Sequence, residues 1–161
     1  VKRAFKLVLI LIVLFVVTTA TVSAADRGSL RLGLEFFGGT NVSTAVLIIR
    51  PAPFDIKVGY NFAQDNRAVY LSGDYRIISG YQLIEFLHLF LSVGAYVQIA
   101  GDPDPFLAGL HVPVGLQVFL IDNVVEIFVE LTPKIGLWPE PTFDPWRGGV
   151  GFTVLIPKFW K

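Results

Sequence analysis

The chain predicts an all-β fold, an eight-stranded antiparallel up-and-down transmembrane β-barrel, and three observations carry that prediction. The first is a period-2 alternation that recurs in nearly every segment after residue 28. Leu30, Leu32, Leu34 and Phe36 interleave with Arg31, Gly33, Glu35 and Phe37. The same beat returns in Phe54, Ile56, Val58 and Tyr60 against Asp55, Lys57, Gly59 and Asn61. It returns again in Val125, Ile127, Val129 and Leu131 against Val124, Glu126, Phe128 and Glu130. Successive side chains of a strand point to opposite faces, so each segment has one apolar face and one face of charges, Gly and small polar groups. The second observation is punctuation, because Pro, Gly, Asn and Asp separate these segments. The third is composition: the chain is 53% hydrophobic, yet no long apolar run follows the amino-terminal segment. A soluble domain of this size rarely needs so much apolar surface, whereas a barrel that is apolar outside does.

The amino-terminal segment reads as a secretory signal. Lys2, Arg3 and Lys6 precede the uncharged run Leu7 to Val17, and Val22-Ser23-Ala24 closes it with a small-x-small end. Cleavage is expected after Ala24, with Ala25 as the alternative, leaving residues 25–161 as a single β-barrel domain. An uncleaved anchor is the competing reading, since Leu7 to Ala25 just suffices to span a bilayer. No Cys follows the apolar run, so a lipoprotein is excluded, and the barrel must stand without disulfides. Removing the signal takes three of the 13 basic residues and none of the 13 acidic ones, leaving a net −3. That balance argues against nucleic acid as a partner.

The predicted strands are residues 29–38, 44–50, 54–62, 67–76, 86–99, 107–119, 124–137 and 148–156. Eight is an even count, as in single-chain bacterial outer-membrane barrels. Pro113 falls inside the sixth strand and cannot donate to a ladder, so a bulge or an unpaired N–H side is expected there. The connections near Gly39, Asp65, Asp102 and Glu140 are assigned to the outer face. Those at Pro51, residues 77–85 and Asp122 are assigned to the periplasm, because an antiparallel barrel reverses at every turn. Reading Asp65-Asn66 as a two-residue turn sets Lys57 opposite Asp74 and Asp55 opposite Arg76, with Arg50 close to Asp55. Reading Asp122-Asn123 the same way sets Glu130 opposite Gly115 and Glu126 opposite Phe119. Both hairpins bring their charges to one face, which a one-residue slip would scramble.

The orientation of that face separates two barrels. A lipocalin-like periplasmic carrier puts the charges in water and the apolar set around a ligand, whereas an outer-membrane barrel does the reverse. Three features favour the membrane. The polar face is rich in Gly33, Gly59, Ser72, Gly94, Gly109, Gly115, Gly149, Gly151 and Thr153, which suits a crowded lumen. The apolar face carries almost no charge, and aromatics such as Phe36, Phe54, Tyr60, Tyr75, Phe86 and Phe106 gather near segment ends, where interfacial girdles sit. The predicted lumen network is Arg31, Glu35, Arg50, Asp55, Lys57, Asp74, Arg76, Glu126, Glu130 and Lys134, five positive and five negative. Charges in so narrow a space must be paired, so the set reads as a plug.

These residues resemble the small outer-membrane barrels of the size class of the outer-membrane protein A transmembrane domain. His111 to Leu116, Glu126 to Pro133 and Gly149 to Phe152, with Asp74-Tyr75, more narrowly resemble an uncharacterised family of small barrels in spirochaetes. That resemblance covers about the last 90 residues and implies an eight-stranded barrel without established chemistry. Such barrels commonly end on an aromatic that the insertion machinery reads, whereas Phe159-Trp160 is followed here by Lys161.

His88 and His111, the two histidines, are the candidates for a catalytic set. His88 and Ser92 share a face but lie roughly 13 Å apart along a strand. His111 is placed within reach of Asp102 or Asp104, without the nucleophile and orienter that catalysis needs. Asp102-Pro103-Asp104 has too few ligands for Ca²⁺ and reads as a rigid turn. Trp138 and Trp146 bracket a Pro-rich outward connection, either a recognition patch or an interfacial anchor. No cofactor or metal is expected. The sequence therefore predicts a non-enzymatic barrel in the outer membrane of a diderm bacterium, a structural envelope protein binding an extracellular partner through rim loops. Membrane lipids and the barrel-insertion machinery are its other expected partners; a lipid-modifying enzyme is the second alternative. The refolded protein is expected to give a β-rich far-UV spectrum in detergent and heat-modifiable gel migration; a helical spectrum would overturn the fold class.

Overall fold

The computed structural model describes residues 29–38, 42–63, 67–100 and 106–157, with the side chains of Val42 and residues 144–146 outside that set. The strands are β1 (Leu30–Gly38), β2 (Val42–Pro51), β3 (Phe54–Asn61), β4 (Ala68–Ile84), β5 (Leu87–Ala100), β6 (Phe106–His111), β7 (Val114–Leu120), β8 (Val125–Trp138) and β9 (Thr142–Ile156). Every pairing is antiparallel, and β9 returns to β1 through Leu30↔Ile156 to Gly38↔Gly148, closing the sheet. The signal segment, Asp102, Asp104 and the residues after Pro157 lie outside the described residues.

β6 and β7 are one strand with an interruption, so the ring has eight strands. β5 pairs Gly94 with His111 and Leu91 with Val114 in one continuous register. β8 keeps a single register across the same gap, through His111↔Lys134 and Val114↔Leu131. Pro113 accepts the Ser92 N–H at 2.8 Å but has no N–H to return, and Val112 donates to the Pro133 carbonyl at 3.1 Å. The break is thus a loss of ladder donors on facing prolines, with no bulge between β5 and this strand.

Three sequence assignments need correction. Residues 77–85 are not a connection: β4 runs on to Ile84 and turns through Glu85-Phe86 into Leu87, with register shifts after Arg76, Ile78 and Gln82. Inside that irregular stretch the Gln117 side chain donates to the Ser79 carbonyl at 2.7 Å. The Trp138–Arg147 connection shrinks to Pro139-Glu140-Pro141, because Gly136 already pairs with Thr142.

The third correction is the β3–β4 register. Asp55 faces Asp74 and Lys57 faces Ser72, a slip of two residues from the predicted pairing. The cause is local. Asn61 Oδ1 accepts the Ala63 N–H at 3.0 Å, an Asx turn that ends β3 ahead of Asp65, while the Phe62 N–H bonds Ser43 of β2 at 2.7 Å. An even slip keeps every side chain on its predicted face. The β7–β8 register is as predicted, with Glu130↔Gly115 and Glu126↔Phe119. Asp122 and Asn123 there have φ of 51° and 68°, the left-handed geometry of a primed turn.

The faces are inverted relative to a soluble protein. Leu34, Ile56 and Val129 are 41%, 45% and 51% exposed on the outer wall, whereas Glu35, Lys57 and Glu126 are 0%, 2% and 1% exposed in the lumen. Outward Phe54, Tyr75 and Phe86 ring one end, with Phe36, Tyr60, Phe62, Phe106 and Trp138 near the other. Inside, large rings stand over glycines of the next strand. A Cβ on Gly115 would meet Phe90 at 2.6 Å, and one on Gly151 would meet Phe128 at 2.6 Å. Gly151→Ala is therefore expected to cost about 1–3 kcal/mol by overpacking. Gly73→Ala, on the outer wall with nothing within 4 Å, should cost far less. Urea unfolding of both variants in the same vesicles checks the contrast.

Candidate functional site

The lumen gathers all ten predicted charges, each buried, into connected clusters. At the β2–β3 and β7–β8 turn end, alternation on β2, β3, β4 and β8 turns Arg50, Asp55, Arg76 and Glu126 inward. Arg50 Nε reaches Asp55 Oδ1 at 2.5 Å, and Arg50 Nη1 reaches Glu126 Oε2 at 2.5 Å. Arg76 Nε takes the other Asp55 oxygen at 3.0 Å, with its Nη2 at 3.7 Å from Glu126 Oε1. Two forked cations and two carboxylates thus share oxygens in a ring that suits bidentate guanidinium geometry. Thr153 donates to Glu126 at 3.0 Å, and Arg76 donates to Gln117 at 2.9 Å. Arg31 extends the cluster, 3.9 Å from Glu126 and bonded to the Asn123 carbonyl at 2.7 Å.

Farther along the lumen, Lys57 Nζ lies 2.8 Å from Glu35 and 3.0 Å from Glu130, and Thr132 donates to Glu130 at 2.8 Å. The predicted Asp55–Arg76 and Arg50–Asp55 contacts are present. The Lys57–Asp74 pairing is not: the two-residue slip sets Lys57 against the glutamates of β1 and β8 instead.

Asp74 pairs with His111, a contact made through a missing side chain. Asp74 faces Gly94 on β5, and Gly94 faces His111 on β6. Gly94 has no side chain to obstruct, so His111 Nε2 reaches across to Asp74 Oδ1. His111 Nδ1 lies 3.4 Å from the Tyr70 hydroxyl. Lys134 sits over the rings of Tyr70 and Tyr96 at 4.7 and 4.8 Å. Asp102 and Asp104, which the sequence places within reach of His111, lie outside the described residues. The Asp74 contact is legible from alternation plus cross-strand register, because Asp74, Gly94, His111 and Lys134 form one transverse row.

The lumen aromatics were not recognised from sequence, although Phe37 and Phe128 stood on the polar face. Arg76 lies 4.4 Å from the Phe90 centroid, Arg50 5.8 Å from Phe128, Lys57 5.1 Å from Phe37 and Arg31 5.4 Å from Phe119. Each of the five predicted lumen cations therefore lies over a ring, a contact that strengthens as water is excluded. The same rings fill space that charges alone would leave open.

Chemically, this arrangement neutralises and fills. Tyr70, His111 and Asp74 are a hydroxyl, an imidazole and a carboxylate in contact, yet all three are buried, and Lys134 caps the phenol ring. Trp138 is 60% exposed beside the β8–β9 turn. Trp146 belongs to β9, with its side chain outside the described residues. Among those residues, no group of three or more His, Cys, Asp or Glu is arranged to hold a metal ion.

Two substitutions test the network. Glu126→Gln leaves the ring of guanidiniums short of one carboxylate and is expected to cost about 3–5 kcal/mol, as when one member of a buried pair is removed. Gly94→Ala puts a methyl against Asp74 and should displace His111, read as loss of the His111–Asp74 coupling in a double-mutant cycle.

A scan against protein-family models and a search of curated proteins both give no match, so the narrower spirochaetal resemblance draws no support from them. Among solved structures, the chain is similar to the N-terminal β-barrel domain of Pseudomonas aeruginosa OprF, at 13% sequence identity and a TM-score of 0.58. The match covers 81% of this chain and 98% of that one. At this identity the likeness is one of fold, a small closed antiparallel barrel.

Proposed function

We propose that the chain is a plugged outer-membrane barrel, a non-enzymatic structural element of the envelope of a diderm bacterium, delivered there by a cleaved signal peptide. One observation carries this reading: ten charges of balanced sign are buried in the lumen, while the apolar side chains of the same strands cover the outer wall. Water does not sustain that inversion, since a continuous apolar wall far exceeds the patches soluble monomers expose. A bilayer does, because closed barrels satisfy all ladder groups internally. The fold likeness to the OprF β-barrel domain supports the closed-barrel architecture on which this reading rests.

The inversion disfavours the periplasmic carrier, whose apolar residues would have to line the lumen. The burial of Tyr70, His111 and Asp74 disfavours the lipid-modifying enzyme, because a substrate needs access to the imidazole. Exposed Leu137, Trp138 and Phe143 flank the outer β8–β9 turn and supply the rim patch for a surface partner.

Localisation and conductance test the proposal together. The protein should fractionate with outer membranes, and protease added to sealed cells should cut, where it cuts at all, near Gly39, Asp65, Asp102 or Glu140. Cleavage at Asp122 but not Asp102 would invert the topology. In planar bilayers conductance should be small or absent; large, steady single-channel steps would overturn the plug and make transport the leading function.

A further inference from the structure

The inward side chains fall into layers along the lumen. On β8, Glu126, Phe128 and Glu130 are successive inward residues, and each belongs to a different layer. Glu126 joins Arg50, Asp55 and Arg76, whereas Glu130 joins Lys57 and Glu35. Phe128 lies between these two ionic clusters and packs with Ile48 and Phe90, all three fully buried. The three side chains come from β8, β2 and β5. With β6 and β7 counted as one strand, two strands separate β2 from β5, one separates β5 from β8, and two separate β8 from β2. The apolar contact therefore reaches across the lumen from three sides and does not merely line one wall.

We infer that Ile48, Phe90 and Phe128 form an apolar septum that seals the lumen and acts as its gate, whereas the ion pairs on either side do not seal it. The inference rests on the plugged-barrel reading above and names the residues that control closure. Ion pairs are a poor barrier to water, because carboxylates keep lone pairs and guanidiniums keep N–H groups that water can bridge. A constriction walled only by hydrocarbon offers water no partner and closes by dewetting. Position strengthens the argument. Phe90 stands over Gly115 and Phe128 over Gly151, and the two rings meet edge to face at 6.0 Å. Arg76 covers Phe90 at 4.4 Å and Arg50 covers Phe128 at 5.8 Å, so the cluster at the turn end roofs the septum. Opening the lumen requires one of these rings to move.

The glycines beneath the rings make the test direct. Phe90→Ala/Phe128→Ala removes both rings, and Gly115 and Gly151 have no side chains with which to refill the space. Phe90→Leu/Phe128→Leu keeps the layer apolar and bulky. Glu130→Gln keeps the septum whole and removes one charge from the cluster beyond it. Each variant is refolded in detergent, checked for heat-modifiable gel migration, and compared with the unsubstituted chain by single-channel recording in planar bilayers.

The double alanine variant should show steady current steps that the unsubstituted chain lacks. The double leucine variant should fall back toward the unsubstituted level, and Glu130→Gln should stay below the alanine variant. Where the double alanine variant does not fold, Phe90→Ala and Phe128→Ala are read singly in the same way. A folded alanine variant as silent as the unsubstituted chain would overturn the septum while leaving the plugged barrel standing. So would steps in Glu130→Gln, or in the leucine variant, as large as those of the alanine variant. Large, steady steps from the unsubstituted chain would instead overturn the plug itself.

Discussion

Glu126 holds the interior together. Its two oxygens meet Arg50 and Arg76, Arg31 approaches from the side, and Thr153 donates to one of them. These partners come from β1, β2, β4 and β9, while Glu126 itself belongs to β8. One carboxylate thus ties five strands of a closed ring at a single height. A lumen that excludes water cannot tolerate an unmatched charge, so the relative heights of the strands follow from where these ions meet. Lys57 repeats the principle nearer the other end, joining β3 to Glu35 on β1 and Glu130 on β8.

Ion pairing alone does not fill the lumen. Bulky rings do, and each needs room on a neighbouring strand. Phe90 takes the space above Gly115, and Phe128 takes that above Gly151. The two rings then meet edge to face at 6.0 Å, with Arg76 over one and Arg50 over the other. Glycine, aromatic ring and cation form a repeated unit in which removing one part leaves the other two unsupported. Gly94 plays a variant of the role, its absent side chain opening the path between His111 and Asp74.

In the proposed reading such an interior stays shut. Its polar groups face one another, and Tyr70, His111 and Asp74, its hydroxyl, imidazole and carboxylate in contact, are each buried. What remains for interaction is the outside: an apolar wall and the exposed aromatics at its two ends. In the proposed role the interior supplies rigidity, and recognition of a partner would fall to the rim.

Alternation alone determined most of this fold. The period of two assigned all ten charges to one face, and the structure buries every one of them. It also marked Pro113 as an interruption within a strand, which the continuous β5 register bears out. Turn residues were a weaker guide. Asp122-Asn123 predicted its register because both residues occupy the left-handed turn themselves, whereas Asp65-Asn66 lies beyond an Asx turn at Asn61 that had already ended β3. An even slip leaves the faces unchanged, so nothing in the period could detect it. Arg50 and Arg76, the two partners of Asp55, were legible from the local hairpins, whereas the partners of Glu126 and Lys57 were decided only when the ring closed, since closure sets side chains far apart in sequence at a common height. The alternating sequence determined what faces inward, and local hairpins supplied the partners of Asp55; the tertiary structure decided the remaining partners, because register and closure are properties of eight strands together.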